Sequence, residues 1–260
     1  MIKAASPEEG EEPIAARRSL LGKSAAMWAG HGDHEVAPGW WKALSGAPSV
    51  DFNTLVCHGR DPGLVTKSLD IVTGTKAPAV ITLAGPGLAG AQVLNDGGWV
   101  CIGASQFMVL EHLGSTPLDS DPQVTEAGPD DLRAVWDLVS EAYGVGPTLA
   151  RVAIPEDVFE TPGQSVWLLS VDGVVRSCVA TVIIEQSMMV WSMATPPAWQ
   201  NHGYGRRLLT TALGRSAALG VTESILQSSS AGERLYRNLG YEVAEYWQSW
   251  SRPRWVFGRS

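Results

Sequence analysis

Three signals in a set order constrain this sequence more than any other feature. Met188 to Ala194 reads as a β-strand, Gln200-Asn201-His202-Gly203-Tyr204-Gly205 follows it, and Arg206 to Leu219 has helical spacing. Glycines two apart let the chain turn tightly out of the strand. Successive amide N–H groups and the positive end of the helix then converge on one anion, and a pyrophosphate fits such a cradle. By itself a Gly-x-Gly turn is also an ordinary strand-to-helix connection.

A second motif narrows the choice. Ser224 to Ser228 reads as a short strand, and Ala231-Gly232-Glu233-Arg234-Leu235-Tyr236-Arg237-Asn238-Leu239-Gly240-Tyr241 as a helix stopped by glycine. Leu235, Tyr236 and Leu239 share one face, and Gly240 suits the left-handed residue that ends a helix. Strand, Gln-x-x-Gly-x-Gly, helix, strand, Ser-Ser-Ser and a helix with Leu-Tyr-x-x-x-Gly-Tyr together resemble the GNAT (Gcn5-related N-acetyltransferase) superfamily. The resemblance runs from about Gln123 to the C-terminus, roughly half of the chain, and implies an α/β (α+β) fold.

The N-terminal half repeats the same order. Phe52 to His58 reads as a strand, Pro62 to Thr75 as a helix, Ala79 to Ala84 as a strand, Gly87 to Asn95 as a helix and Trp99 to Glu111 as strands. Ala89-Gly90-Ala91-Gln92-Val93-Leu94-Asn95-Asp96-Gly97-Gly98-Trp99 aligns without a gap on residues 231–241. Where the C-terminal copy has Gly-x-Gly, the N-terminal copy has Gly59-Arg60-Asp61-Pro62-Gly63. Asp61 repels a phosphate and Pro62 offers no N–H, while Leu94 stands where the other copy has Tyr236. The expectation is a tandem of GNAT-like domains, each a mixed, mostly antiparallel sheet flanked by helices. Residues 1–13 are an acidic, solvated, disordered tail, 14–118 a degenerate domain and 119–260 the acetyl-CoA-binding domain.

In the second domain, Gln123 to Glu126 reads as a strand and Pro129 to Tyr143 as a helix with Leu132, Val135, Trp136 and Val139 as its stripe. The segment 144–163 is rich in Gly and Pro and has no assignment. Ser165 to Val171 and Val174 to Ile184 form a hairpin at Asp172-Gly173. The resemblance implies that the strand through Met193 splays from its neighbour and admits the pantetheine arm of acetyl-CoA. Backbone groups of Met193, Ala194 and Thr195 would face the thioester. Gln200, Asn201, His202, Gly203, Tyr204, Gly205 and Arg206 would hold the diphosphate, and Ser229 would contact the pantetheine. Tyr236 matches the tyrosine that protonates the departing sulfur, and a core aromatic is its plainer reading.

Both positions where relatives carry a basic glutamate are vacant, being Met189 and Ser224. Glu185, near the start of the central strand, is the remaining candidate base, with Glu223 beside Ser224; a surface carboxylate is the plainer reading of each. A water chain, or an amine neutral in an apolar pocket, would make a strong base unnecessary.

The resemblance implies direct transfer of an acetyl group, in a ternary complex, to a primary amine of a small molecule such as an amino acid, an amino metabolite or an antibiotic. A non-catalytic acetyl-CoA sensor or assembly module is the other reading. A dinucleotide enzyme fails, because no full Gly-x-Gly-x-x-Gly follows an early strand. The net charge of −8 argues against nucleic acid. No apolar run reaches membrane-spanning length, so a cytoplasmic location, a monomer or homodimer, and no metal are expected. His31-Gly32-Asp33-His34 reads as a polar turn, and Cys57, Cys101 and Cys178 as reduced, buried thiols. Of 11 tryptophans, Trp167, Trp191 and Trp199 are expected in the core. Trp247, Trp250 and Trp255 are expected in C-terminal strands, packing or lining an acceptor pocket.

Overall fold

The computed structural model describes residues 7–30, 32–114 and 120–256. In chain order the first elements are α1 (Pro7–Ser24), α2 (Ala26–Ala29), β1 (Asp33–Ala37), β2 (Trp40–Leu44), β3 (Asn53–Cys57), α3 (Gly63–Gly74), β4 (Val80–Leu83), α4 (Ala91–Asp96) and β5 (Val100–Leu110). There follow β6 (Val124–Glu126), α5 (Leu132–Tyr143), α6 (Pro147–Ala153), β7 (Gln164–Val171), β8 (Val174–Ile184), β9 (Ser187–Ala194), α7 (Tyr204–Ala218), β10 (Glu223–Ser228), α8 (Glu233–Asn238), β11 (Glu242–Ser251) and α9 (Pro253–Val256). Contacts divide the chain into two units, Met1–Gln106 with Ala244–Ser260, and Phe107–Val243. The segment Ala244–Ser260, which the sequence reading assigns to the second domain, thus clusters with the first unit.

In the first unit the sheet order is β1-β2-β3-β4-β11, with β3 and β4 parallel and the other pairs antiparallel. Trp40, Leu55, Val72, Ile81, Leu83 and Leu94 are fully buried in its core. The buried Trp40 indole is satisfied by donating to Ser68 Oγ at 2.8 Å. Such side chains contribute about 1.5–3 kcal/mol each by leaving water. Trp250 and Trp255 pack on the same core, Trp255 edge-on against Trp99 at 5.8 Å, and Trp247 is fully buried. The packing reading of these three tryptophans therefore applies.

Four expectations for this unit change. Helix α1 starts at Pro7, inside the segment expected as a tail, and runs through Pro13. The acidic tail expected in solvent is fastened because Arg18, fully buried, pairs with Glu11 at 2.7 Å and also with Glu245; residues 1–6 lie outside those described. The polar turn expected at 31–34 gives way to β1, which starts at Asp33 and forms a hairpin with β2. Lys42 Nζ reaches Asp33 at 2.5 Å and Glu35 at 3.5 Å, holding that polar edge strand in place; His31 is outside the described residues. The strands expected between Trp99 and Glu111 are one strand, β5. Cys101 is exposed on the outer half of that strand, while Cys57 and Cys178 are buried.

In the second unit the order is β5-β10-β9-β8-β7-β6; β10 and β9 are parallel, and the pairs β9–β8, β8–β7 and β7–β6 are antiparallel. The β7–β8 hairpin turns through Asp172 (φ 52°) and Gly173 (φ 74°), as the Asp-Gly pair requires. Leu208, Leu209, Ala212 and Leu213 put one face of α7 into the core with Met188, Val190 and Leu226. In α5 the buried stripe is Leu132, Val135, Leu138 and Val139. Trp136 is half-buried instead, its indole donating to Ile154 O at 2.8 Å. The unassigned segment 144–163 holds α6 and a 3-10 turn, Glu156–Phe159. Strand, helix, parallel strand, helix, strand occurs once as β3-α3-β4-α4-β5 and again as β9-α7-β10-α8-β11.

Candidate active site

Two irregularities of β9 make the site. On one side β10 pairs with it only at Glu223↔Ser187, Ser224↔Met188 and Ile225↔Met189. Both strands continue beyond that point without pairing to each other, so they part, and backbone N–H and C=O groups line the gap. On the other side the register passes from Ala180↔Trp191 to Cys178↔Ala194, so β9 spends one residue more than β8. This is a β-bulge, and Ser192 takes φ 48° within it. Such a conformation costs on the order of 1–3 kcal/mol in a non-glycine residue, so neighbouring groups must hold it.

Hydroxyls supply that hold. Ser192 Oγ donates to Ala153 O at 3.2 Å, and the Tyr143 hydroxyl donates to Met193 O at 2.7 Å. Ser177 Oγ donates to Ala194 O at 2.9 Å and lies 2.8 Å from Thr195 Oγ1. The carbonyls of Met193 and Ala194 are thereby occupied from within the protein.

The parted strands open on a cavity of about 550 Å3 whose lining includes Tyr143, Trp191, Met193, Gln227, Ser229 and Tyr236. Ala194, Thr195, Gln200 and Gly205 line it as well. Of the residues expected at the cofactor, Met193, Ala194, Thr195, Gln200, Gly205 and Ser229 therefore meet around one space. Asn201, His202, Gly203 and Tyr204 form the loop and helix start between two lining residues, and Arg206 follows in the first turn of α7. Asn201 (φ 63°) and Gly203 (φ 79°) are both left-handed, so the loop winds with its amides turned to one side. Helix α7 begins with no side-chain cap, and its first amides have no acceptor within the helix. His202 is folded against the loop, Nδ1 at 2.8 Å from Gln200 O and its ring stacked on Tyr204 at 5.5 Å. Arg207 is tied to Asp121 at 2.6 Å, which holds the Asp121 carboxyl below its usual range; Arg206 is exposed.

Tyr236 is buried on α8 and stands edge-on to Tyr241 at 5.7 Å. Burial pushes its phenol up to about 12, so it is a protonated donor at neutral pH. Tyr143 lies in the same cavity. Its ring keeps half its surface in solvent while its hydroxyl sits on Met193 O, and desolvation, then the nearby Tyr236, raise its pKa. Neither Tyr143 nor the left-handed Ser192 was singled out from sequence. A tyrosine just before a glycine carries no local sign that it reaches a carbonyl 50 positions away.

Glu185 is not at the site, which corrects the expectation of a base there. It is exposed, with φ 56°, in the turn between β8 and β9. From Ser187, where the strand starts just beyond that turn, Met193 is six strand steps away, roughly 20 Å. Glu223 begins β10 at that same far end, where it accepts a bond from Ser187 Oγ at 2.6 Å. The described residues lining the cavity include no Asp, Glu, His, Lys or Arg.

The equivalent place in the first unit is closed. Strands β3 and β4 stay paired from Thr54↔Val80 to Cys57↔Leu83, and Ala84 N donates to Cys57 O at 3.0 Å beyond that. A Cβ on Gly87 would lie 2.1 Å from Cys57 O, so the 3-10 turn Gly85–Gly90 is pressed onto the strand end. The loop amides are used internally: His58 N and Gly59 N both donate to Gly39 O at 2.8 Å, and Gly63 N donates to Asp61 Oδ1 at 2.8 Å. Leu94, at the position of Tyr236, is fully buried.

Among the described residues no helix is long and apolar enough to cross a membrane, and no cluster of His, Cys, Asp or Glu is arranged to hold a metal. Residues 162–243 match the acetyltransferase (GNAT) domain family. No curated protein matches the chain. Among solved structures, a GCN5-related N-acetyltransferase from Kribbella flavida is 20% identical, with a TM-score of 0.67 over 92% of this chain and 96% of that one. A GCN5-related N-acetyltransferase from Sphaerobacter thermophilus is 17% identical, with a TM-score of 0.59 over 95% and 93%. A putative GNAT-family acetyltransferase from Novosphingobium aromaticivorans is 15% identical, with a TM-score of 0.57 over 92% and 96%. Residues 162–243 thus match the acetyltransferase (GNAT) domain family, in a chain whose fold is similar to that of solved GNAT structures.

Proposed function

We propose that the chain is an acetyl-CoA-dependent N-acetyltransferase acting on a primary amine of a small molecule. The observation that carries this reading is the convergence on one cavity of the parted β9 and β10, the uncapped start of α7 and the Tyr236 phenol. The residues suit the co-substrate: left-handed Asn201 and Gly203 aim main-chain donors at a diphosphate, and a slot lined by both apolar and polar side chains, Met193 and Leu235 with Gln227 and Ser229, suits the amide-bearing pantetheine arm. Acetyl-CoA supplies an activated acyl group, and the protein orients it and moves a proton. Main-chain groups at the β9 bulge hold the thioester, and the amine nitrogen attacks its carbonyl carbon. As the carbon–sulfur bond breaks, Tyr236 Oη gives its proton to the sulfur, and the amine's own proton leaves to water and then restores the phenol. With no carboxylate among the described lining residues, the amine must reach the thioester uncharged.

That same lining favours a second reading, a protein that binds acetyl-CoA without turnover. A thiol-release assay with a panel of amines separates the two, with Tyr236→Phe as control. Binding of coenzyme A without release by any amine would sink the enzyme reading, and no calorimetric binding of coenzyme A would sink both.

A further inference from the structure

A row of stacked side chains braces the loop at residues 200–203 from outside the cavity. It begins at Arg176 of β8, whose guanidinium lies 3.6 Å over the Trp199 ring. Trp199 ends the 3-10 turn Pro197–Trp199, and its ring centroid is 6.2 Å from that of His202. His202 stacks on Tyr204 at 5.5 Å with an interplanar angle of 21°, and the Arg207 guanidinium lies 6.0 Å from the Tyr204 ring. Attractive aromatic pairs have centroids about 4.5–7 Å apart, and a cation on a ring face adds to them. Since Arg207 is tied to Asp121, that end of the row is anchored.

Two observations give the row a task. The loop inside it carries two left-handed residues, Asn201 (φ 63°) and Gly203 (φ 79°), and a non-glycine residue keeps that conformation only when its neighbours hold it. Gln200 Nε2 donates to Thr195 O at 3.1 Å and His202 Nδ1 faces Gln200 O at 2.8 Å, so the base of the loop is closed and the rings support its far side. The Trp199 ring, for its part, is not wedged into a core. With Arg176, Pro196, Leu138 and Glu141 it lines a cavity of about 420 Å3, which leaves the cation as its brace. Arg176 Nε is enclosed without a hydrogen-bond partner among the described residues, so the stack on Trp199 is what orients this guanidinium.

We propose that Arg176 and Trp199 are positioning residues for coenzyme A: through His202 they fix the loop in its left-handed form, amides already turned to one side, before the diphosphate arrives. This rests on the acetyl-CoA reading of the cavity between β9 and β10, which neither residue lines. A loop that keeps its binding form about one-tenth of the time binds about tenfold more weakly.

The test is calorimetry of the full chain with coenzyme A, on the parent, Trp199→Ala, Trp199→Phe, Arg176→Gln and the double variant with Trp199→Ala, each checked for its fold by circular dichroism. Trp199→Ala should weaken binding about tenfold, and Trp199→Phe, which keeps a stacking face, less than about threefold. Arg176→Gln should weaken it about threefold, as expected for a partly exposed cation over a ring, and no further once Trp199 is alanine, because its effect passes through that ring. In thiol release the KM for acetyl-CoA should rise with the weakening of binding while kcat stays within about twofold. The proposal is overturned by Trp199→Ala binding within about twofold of the parent, by Arg176→Gln weakening the Trp199→Ala protein as much as the parent, which would mean direct contact with the coenzyme, or by a loss of kcat with KM unchanged. Parent binding without thiol release counts against the acetyl-transfer reading alone, whereas a parent that binds no coenzyme A removes both.

Discussion

Replacing Tyr143 by Phe removes one oxygen and leaves the ring in place, and so tests whether the β9 bulge has to be held for catalysis. The hydroxyl donates to Met193 O at 2.7 Å, next to Ser192 with its φ of 48°. A net hydrogen bond contributes about 1 kcal/mol, and the orphaned carbonyl faces a cavity where water can reach it. The melting temperature should therefore fall by only about 2–4 °C. Catalysis should suffer more, because in the proposed function Met193 and Ala194 are the main chain that aims the thioester. A loosened bulge forfeiting about 1.4 kcal/mol of orientation lowers kcat about tenfold. Coenzyme A affinity, which the proposed function assigns to the loop at residues 200–206, should change less than about threefold, or 0.7 kcal/mol. Steady-state thiol release with the most reactive amine, calorimetry with coenzyme A and a thermal melt together check this. An unchanged kcat alongside the expected melting shift would refute the reasoning, as would a loss of coenzyme A affinity equal to the loss of kcat.

Tyr236→Phe should lower kcat roughly a hundredfold or more while leaving coenzyme A affinity intact. Tyr236 also gives an alkaline signature: its folded pKa of about 12 lies above the ordinary 10, so the unfolded chain releases the proton first. The stability it contributes is full below pH 10 and is lost as pH rises to 12, up to about 3 kcal/mol, and Tyr236→Phe should blunt that loss in pH-dependent melts. His58 works in the opposite direction. Its folded pKa of about 4 lies below the usual 6.5, so stability present above pH 6.5 is lost as pH falls toward 4, and His58→Gln should flatten that limb. Gly203→Val places a branched side chain at φ 79°, and coenzyme A affinity measured by calorimetry should fall about tenfold. Glu185→Gln, at the hairpin tip, should leave kcat within about twofold; a larger loss would return this carboxylate to the site.

The secondary structure of the second unit was legible because its signals are local. Asp172-Gly173 announced its hairpin, and Gly203 and Gly205 marked the turn into α7. In the first unit the hairpin of β1 and β2 was missed, since a short edge strand written Asp-His-Glu-Val-Ala has too few apolar residues to show alternation. It is held by Lys42 pairing with Asp33 and Glu35. Tail residues from Pro7 looked solvated because the buried Arg18 that draws in Glu11 has its other partner, Glu245, 227 positions away.

From its order of strands, glycines and helices alone, the chain declared a repeated GNAT-like plan and placed seven of the expected cofactor and catalytic residues on one cavity: Met193, Ala194, Thr195, Gln200, Gly205, Ser229 and Tyr236. Those features reside in backbone freedom and short-range periodicity, which are properties of neighbouring residues. The tertiary structure decided the rest: the bulge at Ser192, the Tyr143 hydroxyl on Met193, the return of Ala244–Ser260 to the first unit, and the removal of Glu185 to the far end of β9. Each depends on register and on contacts between residues distant in the chain, and a one-residue change in pairing alters which groups face the site without leaving a mark on local composition.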